Sequence, residues 1–176
     1  MDFAYSDKVK ALQEQLTQFM EREIAPRDKE WHELTEAGTF PPAFCKDIKG
    51  KAREEGLWNM FMPALPDDVP GTRCSNLDYA PLAEIMGRIY WAPEMFNCNA
   101  PDTGNMEVFH MFGTDEQKEQ YLTPLFNGEI RSAFCMTEPE VASSDATNVQ
   151  TRIEKVGNEY VINGRKWFIT NAAHPE

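Results

Sequence analysis

The sequence predicts an α+β chain: an all-helical amino-terminal domain over residues 1–129, then an incomplete antiparallel β-domain over 130–176. Three observations carry this. Apolar residues recur at helical spacing up to about Ile130. There the period changes to that of strands, in "IRSAFCMT", "NVQTRIEKV" and "EYVINGRKWFIT". Two turn signals then fall at hairpin spacing, Val156 to Glu159 and Asn163-Gly164.

The helices follow in order. Ser6 is a suitable N-cap for a helix whose inward face is Val9, Leu12, Leu16, Phe19, Met20 and Ile24. Pro26 should bend or interrupt it, and the polar run after it carries on to a stop at Gly38. A second helix is expected from Pro42 to Glu55, ended by Gly56. The proline- and glycine-rich stretch after Met60 reads as loop. A third helix runs from Asn76 to Tyr90 with Leu77, Leu82, Ile85, Met86 and Ile89 inward, and a fourth from Asp102 to Phe112 with Met106, Phe109 and Phe112 on one side. Thr114 and Gln117 form a capping box for a last short helix ending near Leu122 or Phe126.

Composition narrows the function. With 41% hydrophobic and 26% charged residues the chain is globular rather than disordered. A net charge of -12 argues against nucleic acid and anionic membrane surfaces. No apolar run reaches the length of a membrane span, and "MDFAYSDKVK" lacks the apolar core of a signal peptide, so secretion is not expected. Cys45, Cys74, Cys98 and Cys135 form no C-x-x-C pair and read as reduced, buried thiols. His32, His110 and His174 have no ligand spacing, so no metal site is expected.

The stretch "FCMTEPEVASSDATN" is denser in small hydroxyl and carboxylate side chains than a solvated turn requires. A loop wrapping an anionic cofactor could use nearly all of them. Its surroundings are informative: "GTDEQKEQYLTPLFNGE" precedes it and "INGRKWFITNAAHP" follows. In this order and spacing the motifs resemble the amino-terminal half of an acyl-CoA dehydrogenase. The first is similar to that family's helix leading into the middle domain, the second to its Thr-Glu-Pro flavin loop, and the third to its NG-x-K-x-W-I-T strand.

That resemblance implies a helical domain, a middle β-domain and a carboxy-terminal helical bundle, with FAD between the last two. It implies an acyl-CoA substrate, an electron-transferring flavoprotein as acceptor, and a homodimer or homotetramer. On the matching positions, Thr137 reaches the isoalloxazine, Thr170 donates toward its N5, Phe134 and Met136 line the flavin edge, and Phe168 stands where the family usually has tryptophan. Ser144, with Ser143 beside it, falls near the pyrophosphate and the pantetheine arm. Asn99 and Thr103 fall in the region that walls the acyl pocket, where Met106 reads as ordinary core. Glu138 belongs to the loop scaffold. The catalytic base is expected beyond Glu176, so none is assigned here. The loop "TEPEVASSD" is one residue longer than the family's usual form, and Ser143 or Ala142 replaces its glycine. The compartment implied is the cytoplasm in a bacterium, otherwise mitochondrion or peroxisome. A flavin acyl-CoA oxidase, and a non-catalytic chain of this fold that binds a partner or completes a neighbour's β-domain, remain alternative readings.

Overall fold

The computed structural model describes residues 4–175 and divides into two compact units, with the boundary in the chain after Ile130. Helix α1 spans Asp7–Phe19, and the Ser6 hydroxyl accepts the Val9 amide at its start. The helical path widens over Met20–Ile24, tightens over Ala25–Arg27 at Pro26, and resumes as α2, Asp28–Glu36. The proline therefore changes the winding and does not end the rod. Helix α3 spans Phe44–Glu54, starting two residues later than expected. Helix α4, Asn76–Met86, is held by a reciprocal Ser75–Asp78 capping box and stops at Gly87, short of the expected Tyr90. A short α5, Ala92–Met95, was not foreseen. Helix α6 is Asp102–Phe112, as read from the sequence. Thr114 and Gln117 cap α7, Asp115–Gln117, as expected, and the path continues through Lys118–Leu122 into α8, Thr123–Asn127.

The core of this first unit is continuous. Leu16, Phe19, Ile24, Ile48, Leu57, Leu82, Met95, Phe96 and Met106 are buried within one cluster, and Phe19 meets Phe96 edge-on at 5.3 Å. Two side chains expected inward are not: Leu77 is 80% exposed and Phe112 77%. Both lie at helix ends, Leu77 in the first turn of α4 and Phe112 at the last residue of α6. At its centre the core holds a polar knot. The Asn97 amide donates to Asn59 Oδ1 at 2.7 Å and to the Leu125 carbonyl at 2.9 Å, while Trp58 and Asn59 both donate to the Phe126 carbonyl. Asn59 and Asn97 sit at φ of +48° and +53°, a region asparagine tolerates. The knot supplies partners for the carbonyls at the end of α8.

The second unit is a hairpin with flanking loops. Strand β1, Arg152–Val156, pairs antiparallel with β2, Glu159–Asn163, in the register Ile153 opposite Ile162. Gly157, at φ +65°, takes the first central position of the turn, as a type II′ connection requires. The Val156–Glu159 signal was thus correct, and Asn163-Gly164 is not a turn. Gly164 serves close approach instead: a Cβ there would lie 2.9 Å from the Thr151 Cα. "IRSAFCMT" and "KWFIT" form no strands, because neither run finds a ladder partner among the described residues. Phe168 and Asn171, at φ +50° and +66°, also break extended geometry.

No helix of the described residues is long and apolar enough to cross a membrane. Cys45, Cys74 and Cys98 are buried free thiols, and burial pushes Cys98 up to about 12. Cys135 departs from expectation: it is exposed, on a segment with no apolar cover.

Candidate functional site

The second unit is organised by one carboxylate. Glu138 is buried, 5% exposed. Its Oε2 accepts the Gln150 amide at 2.8 Å. Its Oε1 accepts the Thr151 amide at 2.9 Å, the Thr151 hydroxyl at 2.6 Å and Lys166 Nζ at 2.9 Å. The Thr151 hydroxyl, the Lys166 ammonium and the Gln150 amide together hold Glu138 down to about 2, against its ordinary 4.5. Lys166 also donates to the Met136 carbonyl at 2.9 Å, and the Trp167 amide donates to the Thr137 carbonyl at 3.2 Å. Segments 136–138 and 166–167 are thereby fastened side by side.

What this fastening leaves open matters chemically. The backbone N–H groups of Phe134, Cys135 and Thr137 have no partner among the described residues, and neither does the Thr137 hydroxyl. Phe134 is 60% exposed. Phe168 is 83% exposed, held in the left-handed region and tilted against Trp167 at 4.6 Å between ring centroids. A bulky residue in that conformation is strained, and such strain clusters at functional sites. Donors without acceptors, bordered by exposed rings, suit the polar edge and flat face of a flavin.

The expected site residues separate accordingly. Phe134, Met136 and Thr137 lie on one segment, tied to the strip that carries Phe168. Thr170 is exposed, but lies in a turn at residues 170–173 and not in a strand. The serine pair splits in two. Ser143 is buried and accepts the Glu138 amide at 2.8 Å, closing the loop on itself, while Ser144 is exposed with no partner among the described residues. Asp145 is exposed but engaged locally, accepting the Thr147 amide at 3.0 Å and hydroxyl at 2.6 Å. Asn99 and Thr103 belong to the first unit, where the Asn99 carbonyl accepts the Thr103 amide and Asn99 Oδ1 is buried without a partner among the described residues. Sequence reasoning missed Lys166 and Thr151. A single lysine before the aromatic pair Trp167-Phe168, downstream of a lone carboxylate in Thr-Glu-Pro, was the available signal for the ion pair. No group of three or more potential ligand side chains among the described residues could hold a metal ion.

The helical unit followed by this donor-bearing segment defines a class, the paired amino-terminal and middle domains of an acyl-CoA dehydrogenase. Residues 6–129 match the family model "Acyl-CoA dehydrogenase, N-terminal domain" and residues 133–176 match "Acyl-CoA dehydrogenase, middle domain". The chain belongs to the acyl-CoA dehydrogenase family. It is 51% identical to acyl-CoA dehydrogenase family member 11 of Gallus gallus, over 90% of this chain and 20% of that protein. It is 47% identical to "Probable acyl-CoA dehydrogenase FadE2" of Mycobacterium tuberculosis, over 99% of this chain and 43% of that one. A solved structure of this kind from Mycobacterium abscessus superposes with a TM-score of 0.88 at 48% identity, covering 98% of this chain and 44% of the other. The chain thus spans less than half the length of these relatives.

Proposed function

We propose that the protein carrying this chain dehydrogenates a fatty acyl-CoA thioester between its α and β carbons, with FAD as electron acceptor. In this reading residues 1–129 form the helical domain and 130–176 open the middle domain. The observation that carries it is the exposed Phe134–Thr137 segment, whose free N–H and hydroxyl donors are fixed beside Trp167 and Phe168. When bound, FAD supplies the two-electron acceptor for the hydrogen leaving the β carbon.

This chain's residues then have separate tasks. Thr137 and Thr170 present hydroxyls to the polar edge of the ring, and Phe134 and Met136 line that edge. Phe168 covers its face. Ser144 offers its free hydroxyl to the pyrophosphate or the pantetheine arm, while Ser143 keeps the loop closed. Asn99 and Thr103 help wall the pocket for the acyl-CoA. Glu138 is excluded as the base. A carboxylate held at about 2 and engaged by four donors has little basicity, and a base works best with its pKa near the operating pH. The family resemblance assigns the removal of the α-proton to a carboxylate beyond Glu176. Electrons pass on to an electron-transferring flavoprotein, and the working protein is a homodimer or homotetramer. It resides in the cytoplasm of a bacterium, or in a mitochondrion or peroxisome.

The test is anaerobic titration of the purified full-length protein with acyl-CoAs of graded chain length. Yellow flavin absorption that bleaches with a fatty acyl-CoA is the expected result. A colourless protein, or flavin that no acyl-CoA reduces, overturns the proposal.

A further inference from the structure

We infer that Glu138 and Lys166 are positioning residues for the cofactor, setting the flavin-facing segment through a part-buried ion pair rather than touching the flavin themselves. This rests on the reading of 134–137 as the flavin edge. Three features of the geometry carry it. First, the pair bridges the two pieces of backbone that hold the proposed contacts: Lys166 Nζ spans Glu138 Oε1 and the Met136 carbonyl, both at 2.9 Å. Second, Thr137 is flanked on both sides by residues that Lys166 engages, and its own carbonyl accepts from Trp167 at 3.2 Å. Its acceptor is thus used for anchoring while its amide and hydroxyl stay free to donate. Third, the same carboxylate closes the hydroxyl-rich loop that carries Ser144. It takes the Gln150 and Thr151 amides at the far end, while its own amide donates to Ser143 at the near end.

No apolar packing substitutes for this arrangement. The only buried side chains of the second unit, among the described residues, are Glu138 and Ser143. The side chains of the pair are 4% and 20% exposed, and a desolvated pair of this kind is costly to break, because the survivor is left charged and unpaired. Glutamine cannot replace Glu138 quietly. Both carboxylate oxygens face N–H or O–H donors, so an amide NH2 would meet a donor on whichever side it turned.

The test uses the full-length protein stripped of flavin and retitrated with FAD, in wild type, Lys166→Met, Lys166→Arg, Glu138→Gln, the Glu138→Gln/Lys166→Met double variant and the milder Thr151→Val. Three quantities are read: FAD affinity, the visible circular dichroism of the bound flavin, and its reduction potential. Each single charge variant is expected to weaken FAD by about tenfold or more, the double to add little beyond either, and Lys166→Arg to recover most of the loss. Thr151→Val should shift the flavin dichroism in the same sense with a smaller loss of affinity, and it decides the matter if the charge variants do not fold. Variants that melt earlier yet bind FAD with wild-type affinity, dichroism and potential would overturn the positioning role while leaving the proposed function standing. A wild-type protein that takes up no FAD would remove the proposed function and this inference with it.

Discussion

The two units are held together by opposite means. Every buried hydrophobic side chain among the described residues lies between Val9 and Phe126, whereas the second unit buries only a carboxylate and a hydroxyl. Both strands of its hairpin are exposed along their whole length, Ile153 at 64% and Ile162 at 66% included. The helical unit therefore draws its order from non-directional burial, which is spread over many side chains. The second unit draws its order from directional bonds converging on Glu138. The first arrangement spreads its dependence over many side chains; the second concentrates its dependence in a few atoms.

This difference can be broken from either side. The largest expected effect is in the helical core. Phe19→Ala removes a fully buried ring packed on Phe96 and should cost about 3–5 kcal/mol by urea unfolding of the full-length protein, with amide protection in 136–151 unchanged. Next comes the one place where the helical unit behaves like its neighbour. Asn97→Leu strands Asn59 Oδ1, at about 1–3 kcal/mol for the orphaned acceptor, while the Leu125 carbonyl keeps the Gly128 amide, so its destabilisation should exceed what its volume change predicts. Gly164→Ala should act only on the second unit. The new methyl collides with Thr151 backbone, for a local cost of about 1–3 kcal/mol, visible as faster exchange of the Gln150 and Thr151 amides and no change in the helices. The smallest effect is Ser75→Ala, which removes one half of the α4 capping box for about 1 kcal/mol in the same unfolding assay.

The same contrast explains what the sequence could disclose. Burial imposes a period, so the start of α1 and the whole of α6 were legible almost to the residue. Caps announce themselves locally, and Ser6, Thr114 and Gln117 were found for that reason. The end of α4 was overrun because Ile89 continues the apolar period past Gly87, although the helix stops there. In the second unit nothing buried enforces alternation, and β-propensity alone was a poor guide. "IRSAFCMT" and "KWFIT" have the composition of strands, yet no ladder forms for them among the described residues. Asn163-Gly164 carried the right residues for a turn, but the glycine answers the proximity of Thr151, a contact thirteen residues away that no local pattern encodes. The candidate site was legible as a motif, because Thr-Glu-Pro and the Trp-Phe pair are short and dense. Its organising bonds were not, since Glu138 and Lys166 are separated by 28 residues of chain.

Acid exchange tests the central contrast most directly. Glu138 is depressed to about 2 in the folded unit from an ordinary 4.5, so the stability it contributes is whole above about 4.5 and is lost as pH falls through about 2. Hydrogen exchange of the full-length protein, corrected for intrinsic rates, should therefore show the Gln150, Thr151 and Trp167 amides losing protection within that window, before the amides of α1 do. In Glu138→Gln those three amides should be weakly protected at every pH, with α1 unchanged. Wild-type protection of the Gln150 and Trp167 amides in Glu138→Gln, or their loss in step with α1, would contradict the account.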